Sequence, residues 1–461
     1  MRPPLPARPS LRAGILLALL LSAGCAHFEP AQARREHTAA FSHRLAGLAD
    51  RELGRALSLD DCIAVAMRNN LAIRQADLET ELARIGRDAA FTVFLPTVAA
   101  TAGYTTYARD PEVTDRQFET AGLDIGMPIF MPSTWFLFAA ARHGYASAGI
   151  AARYVRQGIV LQTTLQYFAV MIRQDTVAAL ESQLAAARET ASRVGGLAGE
   201  GFVTDWEADQ ARFQVEARTT ELNRARRQLT VARGELLRGM GLSPQAPILL
   251  SGDIGEATLP QGETADLVLK ALEIHPSLSL ADRQVVIRQH EVRQAFCDFL
   301  PTLSVFSAGT WTGNELAARA ANWMSGLSAA WTVFDGLANV AWYRAAQVGQ
   351  RQSEAERDAA FLSVIIQVIS AEAAVRDAAE TAALRHRAYE VAAAKSADYD
   401  ARSREGLLPV SEALDARAAM DLAQLAVVES RYQERIAIAN LELAMGLTPV
   451  PPEATPAESS H

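Results

Sequence analysis

The chain has 461 residues, of which 49% are hydrophobic and 21% charged, and its net charge is −9. This composition is ordinary for a chain that buries a core, and it argues against disorder. The acidic balance and the lack of polybasic stretches predict no nucleic-acid partner, because phosphates are bound through clustered Lys and Arg.

The first residues have the pattern of an export signal. Three arginines precede an apolar run at 15–21 that is too short to span a bilayer as a stable helix, so residues 1–24 are predicted to be a signal peptide. The run ends at Leu-Ser-Ala-Gly-Cys, which resembles the lipobox of bacterial lipoproteins, although Ser22 stands where an aliphatic residue is usual. We therefore expect lipidation at Cys25 and a lipid-anchored segment over 25–56. The alternative is an ordinary signal peptide followed by a chance cysteine.

The cysteines and the apolar runs limit the structures that the rest of the chain can form. Cys62 and Cys297 both stand among apolar residues, which favours two buried free thiols over a bridge. No later run of eighteen consecutive apolar residues occurs, so no transmembrane helix is predicted. A chain of this kind can cross a membrane only as a closed β-barrel.

Three separated blocks recur at one constant offset. Residues 90–97 recur at 295–302, Gly201 and Glu207 recur as Gly406 and Glu412, and the Gly-Leu-Ser-Pro at 241–244 recurs as Gly-Leu-Thr-Pro at 446–449. Every pair is 205 positions apart (406 − 201 = 205). The chain is therefore predicted to be a tandem duplication, with repeats over 57–250 and 251–449 and a disordered tail over 450–461.

Each repeat has the same predicted order of elements. An amphipathic helix begins at Ser58 and continues to Pro96, where a proline should end it. Two strands, a very long helix, a Gly-containing turn and a second long helix follow. No proline interrupts 133–195 or 337–405, and helices much longer than about 25 residues indicate a helical array. The predicted fold class is mostly α with a small β part, built from long α-helical hairpins.

The four predicted strands alternate apolar and polar residues, as outer-membrane strands do. They cover 97–107, 120–127, 302–312 and 322–333, and only Phe306 interrupts the pattern by standing on the polar face. Trp323 and Trp331 are eight residues apart on one face, about 26 Å at 3.3 Å per residue. An aromatic girdle is predicted at Tyr104, Trp311, Trp323 and Trp331. A half-buried hairpin in a soluble domain is the alternative. Four strands cannot close a barrel, because the smallest have eight, so a barrel requires an oligomer.

Taken together, these motifs resemble those of the TolC-like outer-membrane factors. The resemblance covers 57–449 and is carried by Leu-Ser-Leu-Asp-Asp-Cys-Ile-Ala-Val-Ala-Met-Arg-Asn-Asn at 57–70, the doubled Phe-Leu-Pro-Thr and the doubled Gly-Leu-Ser/Thr-Pro. It implies a homotrimer in the cell outer membrane with a shared twelve-stranded β-barrel and a helical barrel extending into the periplasm. It further implies passive transport, with a periplasmic adaptor protein and an inner-membrane pump as partners.

The same resemblance suggests residues for a periplasmic aperture. Gly406 begins a segment that matches the family's hairpin motif and puts Glu412 and Asp415 at two acidic positions. The first repeat has Glu207 and Gln210 there. The alternative is that these are solvated residues in the first turn of a helix, where acidic side chains favour the helix dipole. Leu408 stands where well-known members carry a basic latch residue, so gating here is expected to differ.

Other functions fit less well. An enzyme is not expected: Gly-x-Ser-x-Gly, P-loop and Cys-x-x-Cys motifs are missing, and His290-Glu291 lacks the second His of a zinc-protease helix because Gln294 stands there. Cofactors and a metal site are not predicted either, and His275 before Pro276 is expected to be structural. A lipid-anchored periplasmic tether or adaptor without a pore would explain the long helices but not the alternating strands. The transported substrate is left open.

Overall fold

The computed structural model describes residues 29–109, 111, 114–252, 262–314, 317 and 319–449. The predicted signal peptide 1–24, Cys25 and the tail 450–461 lie outside these residues. In chain order the elements are α1 (Pro30–Glu52), α2 (Leu59–Asn69), α3 (Leu71–Thr92), β1 (Thr97–Thr106), β2 (Gln117–Phe130), α4 (Pro132–Gly199), α5 (Asp205–Gly239), α6 (Thr264–Ile274), α7 (Pro276–Cys297), β3 (Thr302–Thr312), β4 (Ala321–Ala330), α8 (Ala338–Arg404) and α9 (Val410–Ala444). The mostly helical fold with four strands is confirmed, and α6–α9 with β3 and β4 repeat the order of α2–α5 with β1 and β2.

The helix predicted to run unbroken from Ser58 to Pro96 is in fact two helices. Asn70 lies between α2 and α3 with an extended backbone (ψ 130°), and its Oδ1 accepts a hydrogen bond from the backbone N of Ala72 (2.8 Å). This side-chain bond caps the start of a new helix. His275 has the same role 205 residues later, where its Nδ1 accepts from the backbone N of Ser277 (3.2 Å). The expected structural role of His275 is confirmed.

The four strands form one antiparallel sheet in the order β1-β2-β3-β4. In register, Val98 pairs with Ile125 and Val305 pairs with Leu327, so apolar side chains of neighbouring strands share a face. That face is open: Val98 and Leu327 are each 65% exposed. Among the described strands, β1 and β4 each pair on one side only.

The long helices form two hairpins, α4 with α5 and α8 with α9, and α9 packs against α4. Each repeat has its own apolar core where its short helices meet its hairpin. The first is centred on α2, α4 and α5, and the second on α6, α8 and α9. Tyr432 of α9 belongs to the first core, with its ring 5.8 Å from that of Phe168. The two repeats are thus joined side by side within one chain.

α8 carries an apolar stretch that sequence inspection did not single out. One 18-residue window of this 67-residue helix is long and apolar enough to cross a membrane by composition alone, and most of it is exposed. Polar residues interrupt this stretch, so it does not contain the eighteen consecutive apolar residues that would predict a transmembrane helix from sequence. The exposed apolar side chains include Leu362, Ile366 and Ile369, which recur every three or four residues and so share one helix face.

Both described cysteines are buried free thiols, as predicted. Burial, reinforced by the neighbouring Asp61 carboxylate, raises the pKa of Cys62 to about 12. Burial also raises the pKa of Cys297. Both side chains are therefore protonated and unreactive at neutral pH.

Candidate functional site: the strand surface and the helical tips

Three of the four predicted girdle residues lie towards the sheet end that is far from the long helices. Tyr104, Trp311 and Trp323 are exposed, and the register puts Tyr104 beside Glu119 and Trp311 beside Ala121. The Tyr104 hydroxyl donates a hydrogen bond to Gln117 Oε1 (2.9 Å). An aromatic body with a bonded polar tip suits a boundary between lipid and water.

Trp331 lies at the opposite end, directly after β4. Its indole Nε1 donates to the backbone oxygen of Phe299 (3.1 Å), and its ring is exposed. Trp135 and Phe334 are also exposed near this end, and sequence reasoning missed both because they stand outside the alternating strands. Their position next to strand ends is the signal that could have found them.

Phe306, which broke the predicted alternation, fits because both of its cross-strand partners are glycines. It pairs in register with Gly126 and Gly326, and a Cβ built on Gly326 would lie 3.0 Å from the Phe306 ring. On the apolar face, the Trp323 ring covers Gly309 in the same way. These glycines leave room for large rings across the sheet without disturbing the register.

The distal ends of the hairpins are matched turns. Gly201 (φ +81°) and Gly406 (φ +72°) both adopt the left-handed backbone conformation in which glycine is favoured. Leu408 lies in the second turn and is half-buried, whereas the adjacent Leu407 is strongly exposed. These turns mark the helical tips farthest from the sheet.

The predicted aperture residues differ in their local bonds. Glu207 Oε2 accepts hydrogen bonds from the backbone N (2.9 Å) and the hydroxyl (2.7 Å) of Thr204, which precedes α5. These bonds, the backbone one first, lower the pKa of Glu207. Glu412 is exposed in the first turn of α9, and Asp415 is exposed one turn further on.

A cleft of about 560 Å³ separates the two hairpins near their tips. Three of the four side chains predicted for the aperture line this cleft, namely Glu207, Gln210 and Asp415. The fourth, Glu412, does not line it. The structure therefore gathers the acidic positions of both repeats at the same end of the molecule but does not place all of them on one surface.

The deepest acid of this cleft was missed from sequence. Asp421 is 9% exposed, and burial raises the pKa of its carboxyl against the opposing effects of Arg417 and Arg218. Gln183, also in the wall, has a buried Oε1 without a hydrogen-bond partner among the described residues. Sequence gives no signal for Asp421 because its burial depends on how the second hairpin leans on the first.

Both repeats match one family model. Residues 62–242 and 267–447 each match the model described as outer membrane efflux protein. The chain belongs to the outer membrane efflux protein family. A search of curated protein sequences finds no match.

Solved structures of two channels and of a further membrane protein have the same fold at low sequence identity. CusC is 17% identical with a TM-score of 0.74, covering 84% of this chain and 91% of CusC. A membrane protein from Pseudomonas aeruginosa is 20% identical with a TM-score of 0.74, covering 84% of this chain and 90% of its own. The MtrE outer membrane channel of Neisseria gonorrhoeae is 18% identical with a TM-score of 0.72, covering 84% and 88%.

Family membership confirms the resemblance found in the sequence. The duplication is confirmed by the two family matches, and the fold by the similar channels. The family consists of outer membrane efflux channels, which are transport proteins without enzymatic activity. The chain is therefore an outer membrane efflux channel protein and not an enzyme.

Proposed function

We propose that three copies of this chain assemble into one outer-membrane channel that serves as the passive exit duct of a tripartite efflux or type I secretion system. The observation that carries this proposal is the four-stranded sheet with two unpaired edges and an exposed apolar face. In lipid, unpaired backbone groups are too costly to persist, and the smallest closed barrels have eight strands. Three chains would close a twelve-stranded barrel and leave no edge.

The exposed apolar face of α8 supports the same assembly. Leu362, Ile366 and Ile369 are not covered by any of the residues that the structure describes, and a helix face of this kind is normally buried against another helix. In a trimer, α8 would pack against α5 of the next copy and so continue the row α5-α4-α9-α8 found within one chain. The helices would then form a closed barrel below the sheet, in the periplasm.

The membrane boundaries follow from the exposed aromatics. We assign the outer girdle to Tyr104, Trp311 and Trp323 and the inner girdle to Trp331. Trp323 and Trp331 are eight residues apart, about 26 Å by strand rise, which is comparable to the apolar band of an outer-membrane barrel. Lipidation of Cys25 would add an anchor on the periplasmic side.

The helical tips are the proposed aperture and docking end. Glu412 and Asp415, together with Glu207, would form rings of carboxylates under threefold symmetry, and such rings favour cations. A periplasmic adaptor and an inner-membrane pump would engage this end. We assign the choice of substrate to the pump, so exchanging the pump should change what is exported.

The first test is the mass of the detergent-extracted protein from the outer-membrane fraction, by light scattering with the detergent subtracted. We expect about three times the mass of the mature chain, which is somewhat below the 49.7 kDa of all 461 residues because the signal peptide is removed. One or two chain masses would leave too few strands for a pore and would favour the periplasmic tether. An epitope inserted between β1 and β2 should also be accessible on intact cells for a channel and inaccessible for a tether.

The aperture is tested separately by conductance in planar bilayers. The double variant Glu412→Ala, Asp415→Ala should raise single-channel conductance or weaken block by divalent cations, because it removes the proposed acidic rings. Asp209→Ala is the matched control, since Asp209 is an exposed acid near the same tip that does not line the cleft. Unchanged conductance and block in the double variant would refute the assignment.

A further inference from the structure

The two repeats meet within the chain along one seam, where α9 packs beside α4. The Tyr432 hydroxyl of α9 donates a hydrogen bond to Asp175 Oδ2 of α4 (2.8 Å). One turn further along α9, Ile436 packs against the apolar core of the first repeat. Gln157 Nε2 of α4 donates to the backbone oxygen of Gly446, just after α9 (3.2 Å). These contacts set the register of the two helices along the seam.

The 205-residue offset gives each seam residue an equivalent on α5 or α8. Because α5 repeats α9 and α8 repeats α4, these equivalents lie on the two outermost helices of the row α5-α4-α9-α8. Ile436 corresponds to Val231 on α5 (436 − 205 = 231), which is 62% exposed. Gln157 corresponds to Leu362 on α8 (157 + 205 = 362), which is 69% exposed. Side chains that are packed or bonded in the seam therefore have equivalents that are exposed and apolar.

The equivalents of the hydrogen-bonded pair carry opposite charges. Tyr432 corresponds to Arg227 on α5 (432 − 205 = 227), and Asp175 corresponds to Glu380 on α8 (175 + 205 = 380). Both are exposed, and neither has a hydrogen bond or an ion pair with any of the described residues. A guanidinium and a carboxylate are matched donor and acceptor. Two helices separate them within one chain, so they can meet only between two copies.

We propose that Arg227 of one copy pairs with Glu380 of the next copy, so that α5 meets α8 between chains in the register in which α9 meets α4 within the chain. This inference rests on the proposed trimer and adds the register and the charged contact of its interface. In this register Val231 covers part of the apolar face of α8, and Leu362 reaches the turn at 241–243 of the next copy. A closed ring of three copies contains the pair three times.

The test is charge reversal in the full-length protein, extracted from the outer-membrane fraction in detergent. Arg227→Glu and Glu380→Arg should each lower the temperature at which the particle falls to single-chain mass, because each places like charges at all three interfaces. The double variant restores opposite charges and should recover most of the wild-type temperature. Arg224→Glu is the matched control and should change little. Arg224 is an exposed arginine one turn away on α5, and its equivalent Glu429 stays exposed within the chain.

Co-expression separates a contact between copies from a contact within one chain. An Arg227→Glu chain and a Glu380→Arg chain, carrying different affinity tags, should form mixed particles more readily than either chain assembles alone. In a mixed ring two of the three interfaces pair opposite charges, whereas in a ring of one variant none does.

The outcomes distinguish the pair from the trimer. Single variants as stable as wild type, or no recovery in the double variant and the mixture, would overturn the pair even where the wild-type particle has the mass of three chains. A wild-type mass of one or two chains would overturn the proposed channel, and the pair with it.

Discussion

Four glycines in the left-handed backbone conformation allow the destabilisation caused by glycine-to-alanine substitution to be compared within one molecule. Gly201 and Gly406 lie at the helical tips, and Gly241 and Gly446 lie at the ends of α5 and α9, all with φ between +70° and +81°. Replacement by alanine forces a side chain into this conformation, which costs about 1–2 kcal/mol at each position. The backbone contribution should therefore be nearly the same in all four variants.

The surroundings of the four positions differ. A Cβ on Gly201 or Gly406 would meet nothing within 4 Å. On Gly446 it would lie 3.2 Å from His275 Cα, and on Gly241 it would lie 2.2 Å from the backbone oxygen of Asn69. Since a backbone oxygen cannot rotate away, Gly241→Ala must shift the junction between α2 and α3, and overpacking of this kind adds about 1–3 kcal/mol.

The expected order of destabilisation is Gly201→Ala and Gly406→Ala least, then Gly446→Ala, then Gly241→Ala. Urea midpoints followed by far-ultraviolet circular dichroism, at fixed protein and detergent concentrations, give this order without assuming two-state unfolding. A Gly201→Ala variant destabilised as much as Gly241→Ala would refute the reasoning, because it would mean that the contact with Asn69 contributes nothing.

Two further predictions concern the seam between the hairpins. Tyr432→Phe removes the hydrogen bond that the buried phenol donates to Asp175 Oδ2 (2.8 Å), so it should destabilise by about 1.5–3 kcal/mol in thermal unfolding. Tyr389→Phe on α8 is the control and should not destabilise, because Tyr389 is partly exposed and its hydroxyl has no hydrogen bond among the described residues. Asp421→Asn should raise the thermal midpoint at pH 7. Burial raises the pKa of Asp421 in the folded state above the unfolded value of 3.8. The ionised carboxylate therefore destabilises the folded state as pH rises through and above 3.8, and the amide avoids this cost. The gain should vanish below that pH, and a loss of stability at pH 7 would mean that the electrostatic attraction of Arg218 and Arg417 outweighs burial.

The constant 205-residue offset made most of the fold predictable, because each element found in one repeat could be checked in the other. The break at Asn70 was missed for a local reason. The apolar spacing continues through it, and only the side-chain bond to Ala72 reveals a new helix start. In the second repeat, Pro276 after His275 indicates the equivalent helix start. A comparison of position 70 with position 275 could therefore have revealed the helix starts in both repeats.

Contacts between distant segments could not be predicted from the sequence. The stacked rings of His143 and His290 belong to residues 147 positions apart (290 − 143 = 147) in different repeats, so no local spacing connects them. The burial of Asp421 likewise depends on the approach of one hairpin to the other. Periodicity predicts which helices form and which face is apolar, but the packing of one repeat on the other decides which polar side chains meet.

The two acidic positions that the duplication makes equivalent have diverged at the tips. Glu207 is held by the backbone N–H and the hydroxyl of Thr204. The residue 205 positions after Thr204 is Pro409, which precedes α9 and has neither a backbone N–H nor a hydroxyl to donate. Glu412 therefore cannot make the hydrogen bonds that hold Glu207 in place. Its carboxylate is exposed and available to contact cations. If the tips form an aperture, Glu207 still contributes its negative charge there, but the carboxylates available to contact cations directly should be mainly those of the second repeat.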